Sequence, residues 1–93
     1  MAVENGTGVS LWPNPVRDGR VNLRIEGLSG ELQPIEVEVY DMFGKRVMSK
    51  HFETEASLFN QTLELNNELA AGIYLVQITV AGEQSVQRLN VVR

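Results

Sequence analysis

The chain has 93 residues, 43% of them apolar and 22% charged, with a net charge of −4. That length holds one packed domain, not two with separate cores, and the regular recurrence of apolar residues excludes global disorder. Scattered acids with few cations argue against a nucleic-acid footprint or an anionic membrane surface, and the absence of cysteine removes disulfide scaffolds, thiolate zinc sites and thiol nucleophiles.

The first eight residues have neither a basic start nor an apolar stretch, so they do not read as a signal peptide. Met1 and Ala2 read as the start of an expressed fragment. Residues 1–8 are expected to be a flexible N-terminal segment, and residues 9–93 one folded unit. A first strand is predicted over 9–12, ended by Pro13, which has no backbone donor for further pairing. Val21-Asn22-Leu23-Arg24-Ile25-Glu26 alternates apolar and polar residues, as does Ile35-Glu36-Val37-Glu38-Val39. Period two marks a strand with one face on a core and the other in water. The glycines at 27 and 30 and Pro34 are read as the separator between these two strands.

Asp41-Met42-Phe43-Gly44 reads as a turn, with Gly44 able to take positive φ. A fourth strand follows over 46–52, where imperfect alternation leaves room for a bulge. The fifth, over 59–65, sets Phe59, Leu63 and Leu65 on one parity. A helical turn is expected over 66–71, capped by Asn66 or Asn67 and ended by Gly72. Residues 73–80 are nearly all apolar or β-branched and read as a central strand covered on both sides. Ala81-Gly82-Glu83 reads as a tight hairpin into a last strand over 86–92, with Leu89 and Val91 on one face. Seven short strands at about ten-residue spacing predict an all-β, immunoglobulin-like antiparallel sandwich.

Catalytic chemistry finds little support. His51 is the only histidine, so a histidine metal cluster is excluded. Ser49 or Ser57, His51 and Asp41 could supply triad members, but no nucleophile elbow places them, and His51 reads as a solvated strand residue. Glu36 and Glu38 lie about 7 Å apart on one strand face, opposite to the apolar parity, and read as solvent-face carboxylates. Asp18-Gly19 lacks the spaced acids of a calcium loop. The dispersed glycines match no phosphate loop, and the aromatics do not alternate with basic residues. Trp12 reads as a core residue in preference to a carbohydrate-binding ring. No enzyme activity and no cofactor are expected.

Four ordered segments carry a resemblance. They are Leu11-Trp12-Pro13-Asn14-Pro15-Val16 with Gly19; Val39-Tyr40-Asp41-Met42-Phe43-Gly44-Lys45-Arg46-Val47; Leu69-Ala70-Ala71-Gly72-Ile73-Tyr74-Leu75-Val76; and Gln87-Arg88-Leu89-Asn90-Val91-Val92-Arg93. In this order and spacing they resemble the type A C-terminal sorting domain of type IX secretion substrates of Bacteroidetes, over nearly the whole chain. Each motif also has a local physical role. The two prolines stiffen an extended segment and are expected to forbid pairing there, and Gly72 releases the chain into its strand.

The resemblance implies a translocation signal. It would carry an N-terminal cargo domain from the periplasm through the outer membrane to the cell surface or medium, with removal by a sortase-like peptidase. It places recognition by the secretion machinery on Gly72, Ile73, Tyr74, Val86, Arg88, Leu89, Val91 and Arg93. The family's lysine-rich tail is replaced here by a single Arg93. Docking is expected at the edge of the last strand by strand addition, and such an edge also allows a homodimer. The competing readings are a fibronectin-like or carbohydrate-binding accessory module, which needs an exposed aromatic row, and a structural spacer.

Overall fold

The computed structural model describes residues 8–65 and 69–92. Seven strands run in chain order: β1 (Gly8–Trp12), β2 (Arg20–Glu26), β3 (Gln33–Tyr40), β4 (Arg46–Thr54), β5 (Leu58–Glu64), β6 (Gly72–Val80) and β7 (Glu83–Val91). They form a three-stranded sheet, β1-β2-β5, and a four-stranded sheet, β4-β3-β6-β7, with every strand pair antiparallel. The protein is an immunoglobulin-like sandwich.

Alternation in the sequence becomes the core. Val21, Leu23 and Ile25 of β2 face Ile35, Val37 and Val39 of β3, Val76 and Ile78 of β6, and Leu89 of β7, all essentially without solvent exposure. Two inward-facing rows of branched aliphatics pack in this way across the gap between sheets. Tyr74 is buried near the start of β6, and its hydroxyl donates to the Ala70 carbonyl at 2.6 Å. A tyrosine tied to backbone just upstream of its strand is the corner typical of this sandwich class.

The two sides of the sandwich close differently. Beside β4 and β5, the rings of Phe52 and Phe59 meet at 5.6 Å between centroids, tilted by 51°, within the range where such pairs attract. Beside β1 and β7, Gln87 Nε2 donates to the Val9 carbonyl at 2.6 Å. The chain then crosses from β1 of one sheet to the edge of β7 in the other.

Several local expectations change. Pro34 does not separate strands but lies inside β3. Its carbonyl accepts from the Ala81 N–H at 3.4 Å, so its nitrogen also faces the β6–β7 turn and the β3–β4 ladder loses no donor. β6 lies between β3 and β7 but is covered on one face alone, with Ile73 and Leu75 38% and 39% exposed on the other. Trp12 is not core: it is 43% exposed, because the short edge strand that carries it sets its parity outward. The helical turn expected over 66–71 falls partly outside the described residues, and 69–71 are not helical.

Other expectations hold in detail. Asp41 Oδ1 accepts from the N–H groups of Phe43 and Lys45, both at 2.9 Å, and Gly44 sits at φ 86. The register slips between Val39 and Tyr40, which pair with Met48 and Arg46, so Val47 is the bulged residue on β4. Val80 pairs with Glu83 across a two-residue turn in which Ala81 (φ 50) and Gly82 (φ 90) both have positive φ, the arrangement suited to a twisted hairpin.

Candidate functional site

No assembled reactive centre emerges among the described residues. Among the described residues no three metal-binding side chains converge, and no buried side-chain polar atom lacks a partner. His51 stands on the solvent face of β4, its ring nitrogens 3.8 Å from Glu36 and 3.9 Å from Glu53, with all three side chains more than half exposed. Such loose exposed contacts contribute little. Glu36 and Glu38 do share the solvent face of β3, but Glu38 is engaged as an acceptor. Tyr40 Oη donates to Glu38 Oε1 at 2.8 Å, and Arg46 Nη1 donates to Oε2 at 3.1 Å. The hydrogen bond to Glu38 raises the Tyr40 phenol above its ordinary value, helped by partial burial and the nearby carboxylate charge. Asp18 caps a turn, accepting from the Arg20 N–H at 3.2 Å.

The feature with directional chemistry is the free edge of β7. Asn90 N–H donates to Asn14 Oδ1 at 2.9 Å, and Asn14 Nδ2 donates to the Arg88 carbonyl at 2.8 Å. Two residues on, Val16 N–H donates to the Asn90 carbonyl at 2.8 Å and the Val16 carbonyl accepts from Val92 N–H at 2.9 Å, in a parallel bridge. Val16 is fully buried. The segment at 14–16 is thus a plug on the C-terminal half of the β7 edge. As expected, the Pro-Asn-Pro backbone forms no strand pairing. The prolines lack donors, but the Asn14 amide replaces a residue of backbone in the ladder and Val16 completes it.

The residues singled out for recognition divide by parity. Ile73, Val86 and Arg88 lie on the solvent face of β6 and β7, with Val86 57% exposed. Tyr74, Leu89 and Val91 point into the core, Gly72 is half-buried at the start of β6, and Arg93 lies outside the described residues. Across the ladder Ile73 pairs with Asn90, Leu75 with Arg88 and Gln77 with Val86. Asn14, Pro15, Ile73, Arg88 and Asn90 line an open cleft of about 340 Å³ at the junction of plug and strand.

Asn90, Pro15 and Leu75 were not among the predicted site residues. Asn14 was legible as a motif residue, but its partners lie 74 and 76 positions away, a separation that no local pattern encodes. The aromatic row required by a carbohydrate-binding module is not formed by Trp12 and Phe43, which stand on β1 and in the β3–β4 turn, at different places on the surface.

Comparison with known proteins adds the family. The sequence model for the "Secretion system C-terminal sorting domain" matches residues 10–92. A search of curated proteins finds no match. Among solved structures, the chain is similar to the crystal structure of a β-glucosidase from Listeria innocua in complex with glucose. That likeness has 17% identity and a TM-score of 0.50, over 91% of this chain and 16% of the other. At that identity it speaks for the sandwich fold alone.

Proposed function

The chain belongs to the family of secretion-system C-terminal sorting domains, and from that membership we propose that it takes an N-terminally attached cargo from the periplasm through the outer membrane. The family match supports a type IX C-terminal sorting signal, with export to the cell surface or medium as its outcome and the type IX machinery as its partner. The family is not an enzyme family. We further propose that a sortase-like peptidase removes the domain when the cargo reaches the surface.

The observation that carries this reading is the extent of the match, 10–92, which takes in all of the sandwich but the first two residues of β1, and all of the final hairpin. The hairpin supports it chemically: Ile73, Val86 and Arg88 stand together on the solvent face at a sheet edge. An edge strand offers main-chain groups for affinity and alternate side chains for specificity. Of the residues named by resemblance, these three could touch the machinery directly. Tyr74, Leu89 and Val91 would act by holding β6 and β7 in place.

The test is fusion of residues 1–93 to a periplasmic reporter in a type IX-competent host. Reporter on the surface or in the medium is the expected result. A reporter that stays in the periplasm, or that is exported equally well without residues 86–93, refutes the reading.

A further inference from the structure

The plug on β7 covers half of the edge and leaves the other half open. Asn90 turns both its N–H and its carbonyl toward the plug, and backbone direction alternates along a strand. The even-numbered residues of β7 therefore point their backbone groups to the open side. Once the Arg88 carbonyl and everything after it are taken, the N–H and carbonyl of Gln84, the N–H and carbonyl of Val86 and the N–H of Arg88 remain unsatisfied by the sheet.

The side chains along this stretch are equally unbalanced. Arg20, Arg24 and Arg46 each pair with a carboxylate, whereas Arg88 has no ion-pair partner among the described residues. No other outward position of β6, or of β7 beyond the turn, carries a charge. Arg88 borders the cleft of about 340 Å³, whose other lining residues are Asn14, Pro15, Ile73 and Asn90. The cleft is open and largely polar, and a guanidinium without an internal anion beside two side-chain amides suits a carboxylate held by charge-assisted hydrogen bonds.

Resting on the sorting reading above, we propose that a partner reads this domain through an extended segment of about five residues, added as a fifth strand along Gln84, Val86 and the Arg88 amide. That segment carries an acidic residue opposite Arg88 and, two positions away on the same face, an apolar residue opposite Val86. Strand geometry sets the spacing, because directly opposed side chains are the ones that interact. Asn14 sets the length, because the plug begins at the Arg88 carbonyl. A second copy of this chain fits less well. Pairing β7 with β7 about Val86 sets Arg88 against Gln84 and leaves the guanidinium without an anion.

The reporter fusion tests this with three variants. The Val86 N–H faces the open edge, so Val86→Pro removes a docking donor without breaking the β6–β7 ladder. Arg88→Glu reverses the charge on an exposed side chain, and Arg88→Lys keeps it. Surface delivery is expected to fall at least about tenfold for Val86→Pro and Arg88→Glu, as for an interface anchor, and to survive largely in Arg88→Lys. Melting curves of the purified chains should stay close to wild type; if Val86→Pro loses its fold, Arg88→Glu decides. Export of folded Val86→Pro or Arg88→Glu at the wild-type level overturns the proposal. So does a concentration-dependent dimer of the wild-type chain that Val86→Pro abolishes, which assigns the edge to self-pairing. A wild-type fusion retained in the periplasm overturns the sorting reading itself, and the inference with it.

Discussion

Ala81 occupies a position that the fold demands and its side chain resists. At φ 50 in the two-residue turn between β6 and β7, its Cβ crowds the following carbonyl, a cost of about 1–2 kcal/mol that asparagine or glycine largely avoids. Ala81→Asn should therefore raise stability by roughly 0.5–1 kcal/mol, read as a higher denaturant midpoint at unchanged slope. A lower midpoint would show that the turn is not strained at this residue. Tyr40 offers a second residue-scale test. Its hydroxyl donates to Glu38, an interaction that exists only while the phenol is protonated, so its pKa is raised on folding. The stabilisation is fully present below the ordinary tyrosine value of about 10 and is lost as pH rises through the higher folded value. An ultraviolet titration taken as a difference against Tyr40→Phe should show a midpoint above that of free tyrosine. Glu38→Gln should move it downward, and an unmoved midpoint would remove Glu38 as the cause.

At the scale of elements, three of the four sheet edges, β4, β1 and β7, are managed in different ways. β4 carries a bulge at Val47 and the charged residues Lys50 and Glu53, and β1 is only five residues long. Both devices discourage unwanted strand pairing. β7 is instead covered in part by the 14–16 plug, with the Asn14 amide as its clasp. Asn14→Ala removes two hydrogen bonds whose backbone partners can turn to water, so the expected loss of stability is on the order of 1 kcal/mol. The local effect should be larger than the global one. Amide exchange at Asn90 is expected to quicken by about tenfold while the interior amides of β6 keep their protection. A uniform loss of protection would make Asn14 a general support instead of a clasp. Gly44 and Asp41 hold the β3–β4 turn independently of the plug, so that turn should be unaffected.

For the molecule as a whole, support and presentation are separated by face. Inward rows from both sheets make one continuous core, in which Leu23, Ile25, Ile35, Ile78 and Leu89 are fully buried. Burying such side chains is the main source of stability in a domain of this size. The outward face of β6 and β7 contributes little to that core, which leaves Ile73, Leu75, Val86 and Arg88 available to a partner. On the proposed reading the same strands serve two ends, through alternate residues. Deleting 86–93 in an export assay removes Leu89 and Val91 from the core along with the exposed residues. Point changes on the outer face therefore separate recognition from folding more cleanly than truncation does.

Much of this was legible in the amino-acid order, because local physics wrote it there. Period-two alternation marked β2 and β3, the Asp41–Gly44 and Ala81–Gly82 turns announced their φ requirements, and the ordered motifs carried the family. The residues proposed for recognition were legible only as a stretch: parity within the hairpin, once β6 and β7 paired, decided that Ile73, Val86 and Arg88 face water while Tyr74, Leu89 and Val91 do not. Trp12 and Pro34 were misread because their settings depend on neighbours distant in sequence, an outward-turned edge strand and a turn that leaves no ladder bond to lose. The Pro-Asn-Pro segment shows the division most clearly. Its sequence determined stiffness and missing donors; only the tertiary structure, by bringing β1 and β7 to the same side of the sandwich, decided that Asn14 would clasp the last strand and leave half of its edge open.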